Sequence, residues 1–325
     1  MRVTRRSILQ SLPAALMLGQ ARADEKAPAI RIGILRFGSV QWELETMRAQ
    51  GLDAAHGVQV STTEYAASQA TQVALQAQAV DMVALDWLWV SRQRETGADW
   101  TFAPLSSALG ALIVPAGSAI RSVPDLAGKR LGIAGTPLDK SWLILRAYAK
   151  SRFGLAIDQA AETSFAAPPL LDQALAAGRL DAVLNYWPFA AKAEARGATS
   201  LIGVGAMLAE LGIPATVPMV GYVFSERWAA ANRAAVAGFL KAAAAARGVL
   251  ASSDAAWETL KPLTGASDEA ELLHLRDWYR SGIPNAAAPP DLSAADHLYH
   301  LLRDIGGPDL TGPAESPAPG VFWAG

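Results

Sequence analysis

The chain has 325 residues, 51% hydrophobic and 18% charged, with a net charge of −2 at pH 7. That length exceeds what one core usually supports, so two lobes are expected, and the near-neutral balance lacks the basic face of a nucleic-acid binder. The absence of cysteine excludes disulfides, thiolate metal sites and a cysteine nucleophile.

Arg2, Arg5 and Arg6 form a positive n-region, Ile8 to Gly19 a short apolar h-region, and Ala21-Arg22-Ala23 an A-x-A cleavage site. A bilayer span needs about 20 apolar residues, so residues 1–23 read as a signal peptide and the mature start as Asp24. Thr4-Arg5-Arg6-Ser7-Ile8-Leu9 is similar to a twin-arginine export signal, with a Sec signal carrying two arginines as the alternative. Either route delivers the protein outside the cytoplasm.

After the signal, strands are expected at Ile30 to Leu35, Val58 to Glu64 and Asp81 to Leu85. Helices are expected at Gln41 to Gln50, Ala67 to Gln78 and Trp89 to Glu95. The order then repeats. Strands at Lys129 to Ala134, Thr163 to Ala166 and Leu180 to Leu184 alternate with helices at Asp139 to Arg152, Pro169 to Ala177 and Phe189 to Ala195. At an offset of one hundred the pairs Trp42/Trp142, Tyr65/Phe165, Asp81/Asp181, Trp87/Trp187 and Gly97/Gly197 match. A repeat of this period is the size of a lobe, not of a solenoid unit.

The pattern predicts an α/β fold with two lobes, each a mixed sheet flanked by helices. Ala111 to Pro115 and Val220 to Phe224 are apolar runs that read as the two crossover segments. Lobe I is then discontinuous, 24–110 with 219–325, and lobe II is 111–218. From Ser225 onward the periodicity is helical: Ser225 to Leu250, Asp254 to Leu263, Asp268 to Ser281 and Ser293 to Ile305. Ser253 and Ser293 read as N-caps, and Gly265 and Gly306 as stops. Pro308 to Pro319 reads as a loose tail, tacked down by Phe322 and Trp323.

In open α/β sheets ligands sit outside the carboxyl ends of the strands. Those positions here hold Arg36, Gly38, Ser39, Gln41 and Trp42, then Ser68 and Gln69, then Asp86 and Trp87 in the first lobe. In the second they hold Thr136 and Asp139, then Asn185, Tyr186 and Trp187. Lobe closure would bring Trp87 and Trp187 to opposite walls of one cleft, unless each simply fills core space beside its sheet. The helix opening after Gly135 offers free N–H groups suited to an anion, but Asp139 in its first turn opposes one and would cap the helix instead. Arg36 is the best-placed cation for an acidic solute. Asp81 and Asp181 read as turn residues.

No G-x-S-x-G elbow, P-loop or H-E-x-x-H occurs, so no catalytic set is assigned. His297 and His300 sit three apart beside Asp296 and Asp304 on a solvated helix face, and no metal or cofactor is expected.

Ser122 to Gly135 (SVPDLAGKRLGIAG) is similar to the "DLkGKkvgv" strand of type II periplasmic solute-binding proteins of ABC importers. More closely, it resembles the nitrate/sulfonate/taurine branch that includes thiamine-pyrimidine binders. Gly178-Arg179-Leu180-Asp181-Ala182 resembles that branch's G-x-(I/L/V)-D-A step. The resemblance spans about residues 30 to 250. It implies a monomeric periplasmic receptor that captures a small organic solute between its lobes. It also implies delivery to an ABC permease with its ATPase subunits, the receptor itself catalysing nothing. Where sulfonate binders carry a Gly-Ser-Ser or Gly-Ser-Thr cradle, this chain has Gly135-Thr136-Pro137-Leu138-Asp139, which favours a planar or amine-bearing solute over a simple oxyanion. An enzyme on the same scaffold, for which only Asp86, Asp139 and Lys140 are available, is the alternative, as is an accessory that binds a cofactor or metal.

Overall fold

The computed structural model describes residues 28–36, 38–214, 217–284 and 291–325. The export signal, its cleavage site and Phe37 lie outside the described residues.

The first lobe runs β1 (Ala29–Leu35), α1 (Val40–Ala49), α2 (Leu52–Ala55), β2 (Gln59–Tyr65), α3 (Ser68–Gln76), β3 (Met82–Leu85), α4 (Trp87–Glu95) and β4 (Trp100–Ser106). The second runs β5 (Ala111–Val114), β6 (Arg130–Ala134), α5 (Lys140–Phe153), α6 (Ile157–Ala160), β7 (Glu162–Ala166), α7 (Pro168–Ala176), β8 (Ala182–Asn185), α8 (Trp187–Ala195), β9 (Thr199–Gly203) and α9 (Val204–Glu210). The chain returns through β10 (Val220–Ser225) to α10 (Glu226–Ala231), α11 (Arg233–Ser252), α12 (Asp254–Thr264), α13 (Glu269–Ser281), α14 (Leu292–Gly306) and α15 (Pro308–Thr311).

Two five-stranded sheets result, ordered β2-β1-β3-β10-β4 and β7-β6-β8-β5-β9. In each, three parallel strands are followed by one antiparallel strand that pairs on its far side with the fifth, β10 between β3 and β4 in the first sheet and β5 between β8 and β9 in the second. This is the expected two-lobed α/β class, with a mixed sheet per lobe and a helical C-terminal part. The C-terminal helices touch both lobes: α12 packs on α1, α13 on α8, α14 on α5 and α15 on α4.

Several boundaries differ from the sequence reading. Helix α4 starts at Trp87 rather than Trp89, because Asp86 caps it by accepting the Trp89 N–H at 2.9 Å. The single helix expected from Ser225 is broken at Asn232 into α10 and α11. Helix α14 is capped by Asp291, not Ser293. The stretch read as a loose tail holds α15 and is fixed to α4, since Arg92 donates to the Asp309 carbonyl and Arg94 to that of Pro319, each at 2.6 Å. Strands β4 and β9 lack a recognisable pattern in the sequence, and β9 is only half-buried at most positions.

The repeated aspartates do the same structural job twice. Asp81 accepts the Arg31 backbone N–H at 2.8 Å and its guanidinium at 2.7 Å, and Arg31 also donates to the Gln78 carbonyl. Asp181 accepts the Arg130 N–H at 2.9 Å and its guanidinium at 2.7 Å, and Arg130 donates to the Gly178 carbonyl. Each clamp ties the start of a central strand to the turn before its neighbour. The turn needs a left-handed residue: Gly178 has φ +67°, and Gln78 takes φ +58°, the one positive value for a non-glycine among the described residues.

Left-handed backbone costs a residue with a Cβ about 1–2 kcal/mol. Gln78→Gly is therefore expected to raise stability by about 1 kcal/mol and Gly178→Gln to lower it by at least as much, read from urea midpoints at unchanged m-value. Hydrogen bonds from Arg130 hold the Asp181 carboxyl down at about 2. Its contribution is thus complete above the ordinary carboxylate value of 3.8 and lost as pH falls through about 2. Asp181→Asn is expected to flatten the acid limb of the stability curve in that window, measured by acid titration of intrinsic fluorescence.

Candidate functional site

The carboxyl ends of β1–β3 and of β6–β8 open towards each other, and two contacts close the gap. Asp86 of the first lobe pairs with Lys140 of the second at 3.2 Å. Trp42 of the first lobe packs edge-to-face on Trp187 of the second, with ring centroids 5.6 Å apart.

Around the ion pair lies a polar half. Asp86 caps α4 through one oxygen and meets Lys140 with the other. Asp139 caps α5 by accepting the Ser141 N–H at 2.9 Å, and its second oxygen accepts the Tyr186 hydroxyl at 2.9 Å. Burial pushes the Asp139 carboxyl above its ordinary value, against the pull of Lys140, the Tyr186 hydroxyl and two backbone N–H groups. Burial and the Asp139 charge raise the Tyr186 phenol. Burial disfavours the Lys140 ammonium, but Asp86 and Asp139 outweigh that effect and raise its pKa. The Gly135 backbone, at φ +93°, passes so close that a Cβ there would lie 2.8 Å from the Tyr186 hydroxyl oxygen.

The N-termini of α4 and α5 are capped by their own carboxylates, Asp86 and Asp139. Thr136 is exposed and its hydroxyl accepts only the Leu138 N–H, at 3.3 Å.

The other half is aromatic and apolar. Trp42 contacts Trp187, Trp257 and Tyr279, so α1, α8, α12 and α13 meet at one buried cluster. Beside it lies a cavity of about 320 Å³, walled by Arg36, Gln41 and Trp42 from the first lobe and Pro169, Pro188 and Phe189 from the second. Prolines at the starts of α7 and α8 remove backbone N–H donors from the second lobe's wall, and its one cation, Lys192, donates to the Thr264 and Gly265 carbonyls at 2.9 and 2.7 Å. The first lobe supplies the exposed Arg36, loosely paired with Glu64 at 3.5 Å, and Gln41, which donates to the Leu263 carbonyl at 3.3 Å. A second recess of about 380 Å³ continues past Phe189 and Lys192 to Asp172 and Glu271.

The remaining expected residues are scattered. Gly38 and Ser39 shape the turn into α1, and the Ser39 carbonyl accepts the Trp42 N–H. Ser68 and Gln69 open α3 and do not line the cavity. Asn185 is buried and committed, donating to the Pro168 carbonyl at 3.2 Å and accepting the Tyr186 N–H at 2.9 Å.

The pairing of Trp87 with Trp187 as facing walls requires correction. Trp87 is fully buried, donates to the Pro218 carbonyl at 2.9 Å, and is packed between Tyr299 and Phe322. The C-terminal segment covers that flank, so Trp187 meets Trp42 instead. Sequence reasoning placed the strand end as far as Pro188 on the ligand side but passed over Phe189 and Lys192, the next residues of α8 that line the cavity. The run Tyr186-Trp187-Pro188-Phe189 was the available signal for Phe189.

Two sheets joined by two crossings, with their strand ends facing, define a two-lobed fold of the periplasmic-binding-protein class. The chain belongs to the NMT1/THI5-like family, which it matches over residues 47–253. Among curated proteins none matches. Of solved structures, it is similar to the alkanesulfonate-binding protein SsuA from Xanthomonas axonopodis pv. citri bound to MOPS: 21% identity, 91% of this chain and 98% of that one, TM-score 0.67. The periplasmic aliphatic sulphonate binding protein SsuA from Escherichia coli aligns at 19% identity over 91% and 92%, TM-score 0.71. The desulfurization enzyme DSZB aligns at 14% identity over 90% and 95%, TM-score 0.62.

Lys140 neutralises two half-buried carboxylates. Lys140→Met is expected to cost about 1–3 kcal/mol at neutral pH. That loss shrinks as acid protonates Asp139, whose carboxyl is held above its ordinary value by burial; urea unfolding at several pH values measures both effects.

Proposed function

We propose that the protein is an exported receptor that captures a small organic solute between its lobes and presents the liganded form to an ABC permease in the membrane. The observation that carries this reading is the cavity of about 320 Å³ whose walls come from both lobes, with Arg36, Gln41 and Trp42 on one side and Pro169, Pro188, Phe189 and Lys192 on the other. A solute seated there touches both lobes at once. It therefore favours the closed arrangement by its differential contacts, the form a permease can distinguish. The resemblance to the NMT1/THI5-like family and to sulfonate-binding folds supports the same reading, as do the basic n-region and A-x-A site at the N-terminus, which imply a periplasmic location.

Binding is favoured over catalysis by the state of the polar groups. Lys140 is kept protonated between Asp86 and Asp139, so it is poorly suited as a base or nucleophile. Both carboxylates are spent on caps and that ion pair.

A thermal-shift screen of small sulfonates, carboxylates and pyrimidines tests the proposal. A solute at about one hundred times its Kd should add about 2.7 kcal/mol and raise Tm by about 5 °C. Arg36→Ala and Phe189→Ala should each weaken that solute about tenfold or more in titration calorimetry. Steady turnover of a bound compound, or unchanged affinity in both variants, overturns the reading.

A further inference from the structure

The helices after β10 form two straps, one on each flank of the cleft. On the first flank α12 lies on lobe I, with Trp257 5.8 Å from Trp42 and the Leu263 carbonyl held by Gln41. Its partner α13 lies on lobe II, where Trp278 donates to Glu194 at 2.6 Å and Arg196 pairs with the buried Glu271 at 2.9 Å. Lys192 of α8 caps the end of α12 by donating to the Thr264 and Gly265 carbonyls at 2.9 and 2.7 Å. On the second flank α14 packs against α5 so closely that a Cβ on Gly306 would lie 2.8 Å from Leu143. The tail then returns to lobe I, where Phe102 donates to the Val321 carbonyl at 2.7 Å and accepts from Trp323 at 2.9 Å. In the repeat α1 corresponds to α5 and α4 to α8. The first strap thus joins α1 to α8 and the second joins α5 to α4, the same connection made twice.

The end of α13 also rests on the segment where the chain crosses between lobes. The Gly282 carbonyl accepts the Ser107 N–H at 2.9 Å and the hydroxyls of Ser106 and Ser107 at 3.3 Å. A Cβ on Gly282 would clash with Ala108, although the backbone φ of −95° suits any residue. The returning crossover is tied at the same place, Met219 N–H donating to the Ser106 carbonyl at 2.9 Å.

We propose that the two straps set the angle between the lobes and hold them near closure before any solute arrives, with the Gly282 carbonyl as the pin on the crossing segment. A receptor held this way loses little affinity to an open population, because apparent affinity scales with the binding-competent fraction. That consequence rests on the receptor reading; the lobe angle does not.

The chain has no cysteine, so Ala54→Cys and Gln159→Cys, exposed on α2 and α6, give one spin label per lobe. The interlobe distance is measured by double electron–electron resonance on the full chain, unfolded and refolded to strip bound solute. One narrow distribution is expected for the otherwise unaltered protein, and a second, displaced population for Gly282→Ala and for Lys192→Met. Circular dichroism checks folding, and if Gly282→Ala does not fold, Lys192→Met decides. A broad or two-peaked distribution without either variant overturns the proposal, as does a distribution unchanged in every variant that folds. Because no solute is present, a failed solute screen leaves this result standing, and the reverse also holds.

Discussion

The edge-to-face contact between Trp42 and Trp187 is the joint on which the arrangement of this molecule depends. It is the point where both lobes and the C-terminal helices meet, with Trp257 and Tyr279 completing the cluster. Aromatic pairs of this geometry contribute about 0.5–1.5 kcal/mol beyond the area they bury. Next to Trp42 on the same helix, Glu43 is buried against Arg247 at 3.0 Å and the Tyr222 hydroxyl at 2.7 Å. Burial pushes the Glu43 carboxyl up while Arg247 and the hydroxyls pull it back. A buried pair of this kind is a weak source of net stability, but removing one partner is costly, so α1 is held to β10 and α11 in one register.

With α1 fixed, the cleft acquires its two-sided character. On one side the helix N-termini are self-capped by Asp86 and Asp139, and Lys140 balances both. On the other side, prolines at the starts of α7 and α8 take away backbone donors, while Arg36 and Gln41 from the facing lobe and Lys192 of α8 bring side-chain donors to the cavity. Both effects come from ordinary helix-end chemistry: a carboxylate at the cap satisfies the free N–H groups, and proline has none to offer.

The two lobes, their internal repeat and the crossings were legible because they rest on local periodicity and on rare residues at a fixed spacing. Asp81 and Asp181 were legible as turn residues beside a strand, but their clamps on Arg31 and Arg130 were not, because those arginines stand about fifty positions away. The tryptophan repeat was legible as spelling but not as geometry. Trp87 and Trp187 occupy equivalent positions in their lobes, yet one is covered by Tyr299 and Phe322 and the other meets Trp42. Phe322 was legible as an anchor of the tail, but no local pattern announces which flank a distant C-terminal segment will cover.

What the sequence determined alone is what depends on neighbours along the chain: alternating strands and helices, helix caps such as Ser253 and Asp139, and the lack of thiols. What only the tertiary structure decided is which surfaces face each other: the Asp86–Lys140 bridge between lobes, the Trp42–Trp187 joint and the Gly282 contact on the crossing segment. These join residues dozens to nearly two hundred positions apart. Each is selected by shape and charge complementarity after the elements have packed, and that selection leaves no periodic mark in the chain.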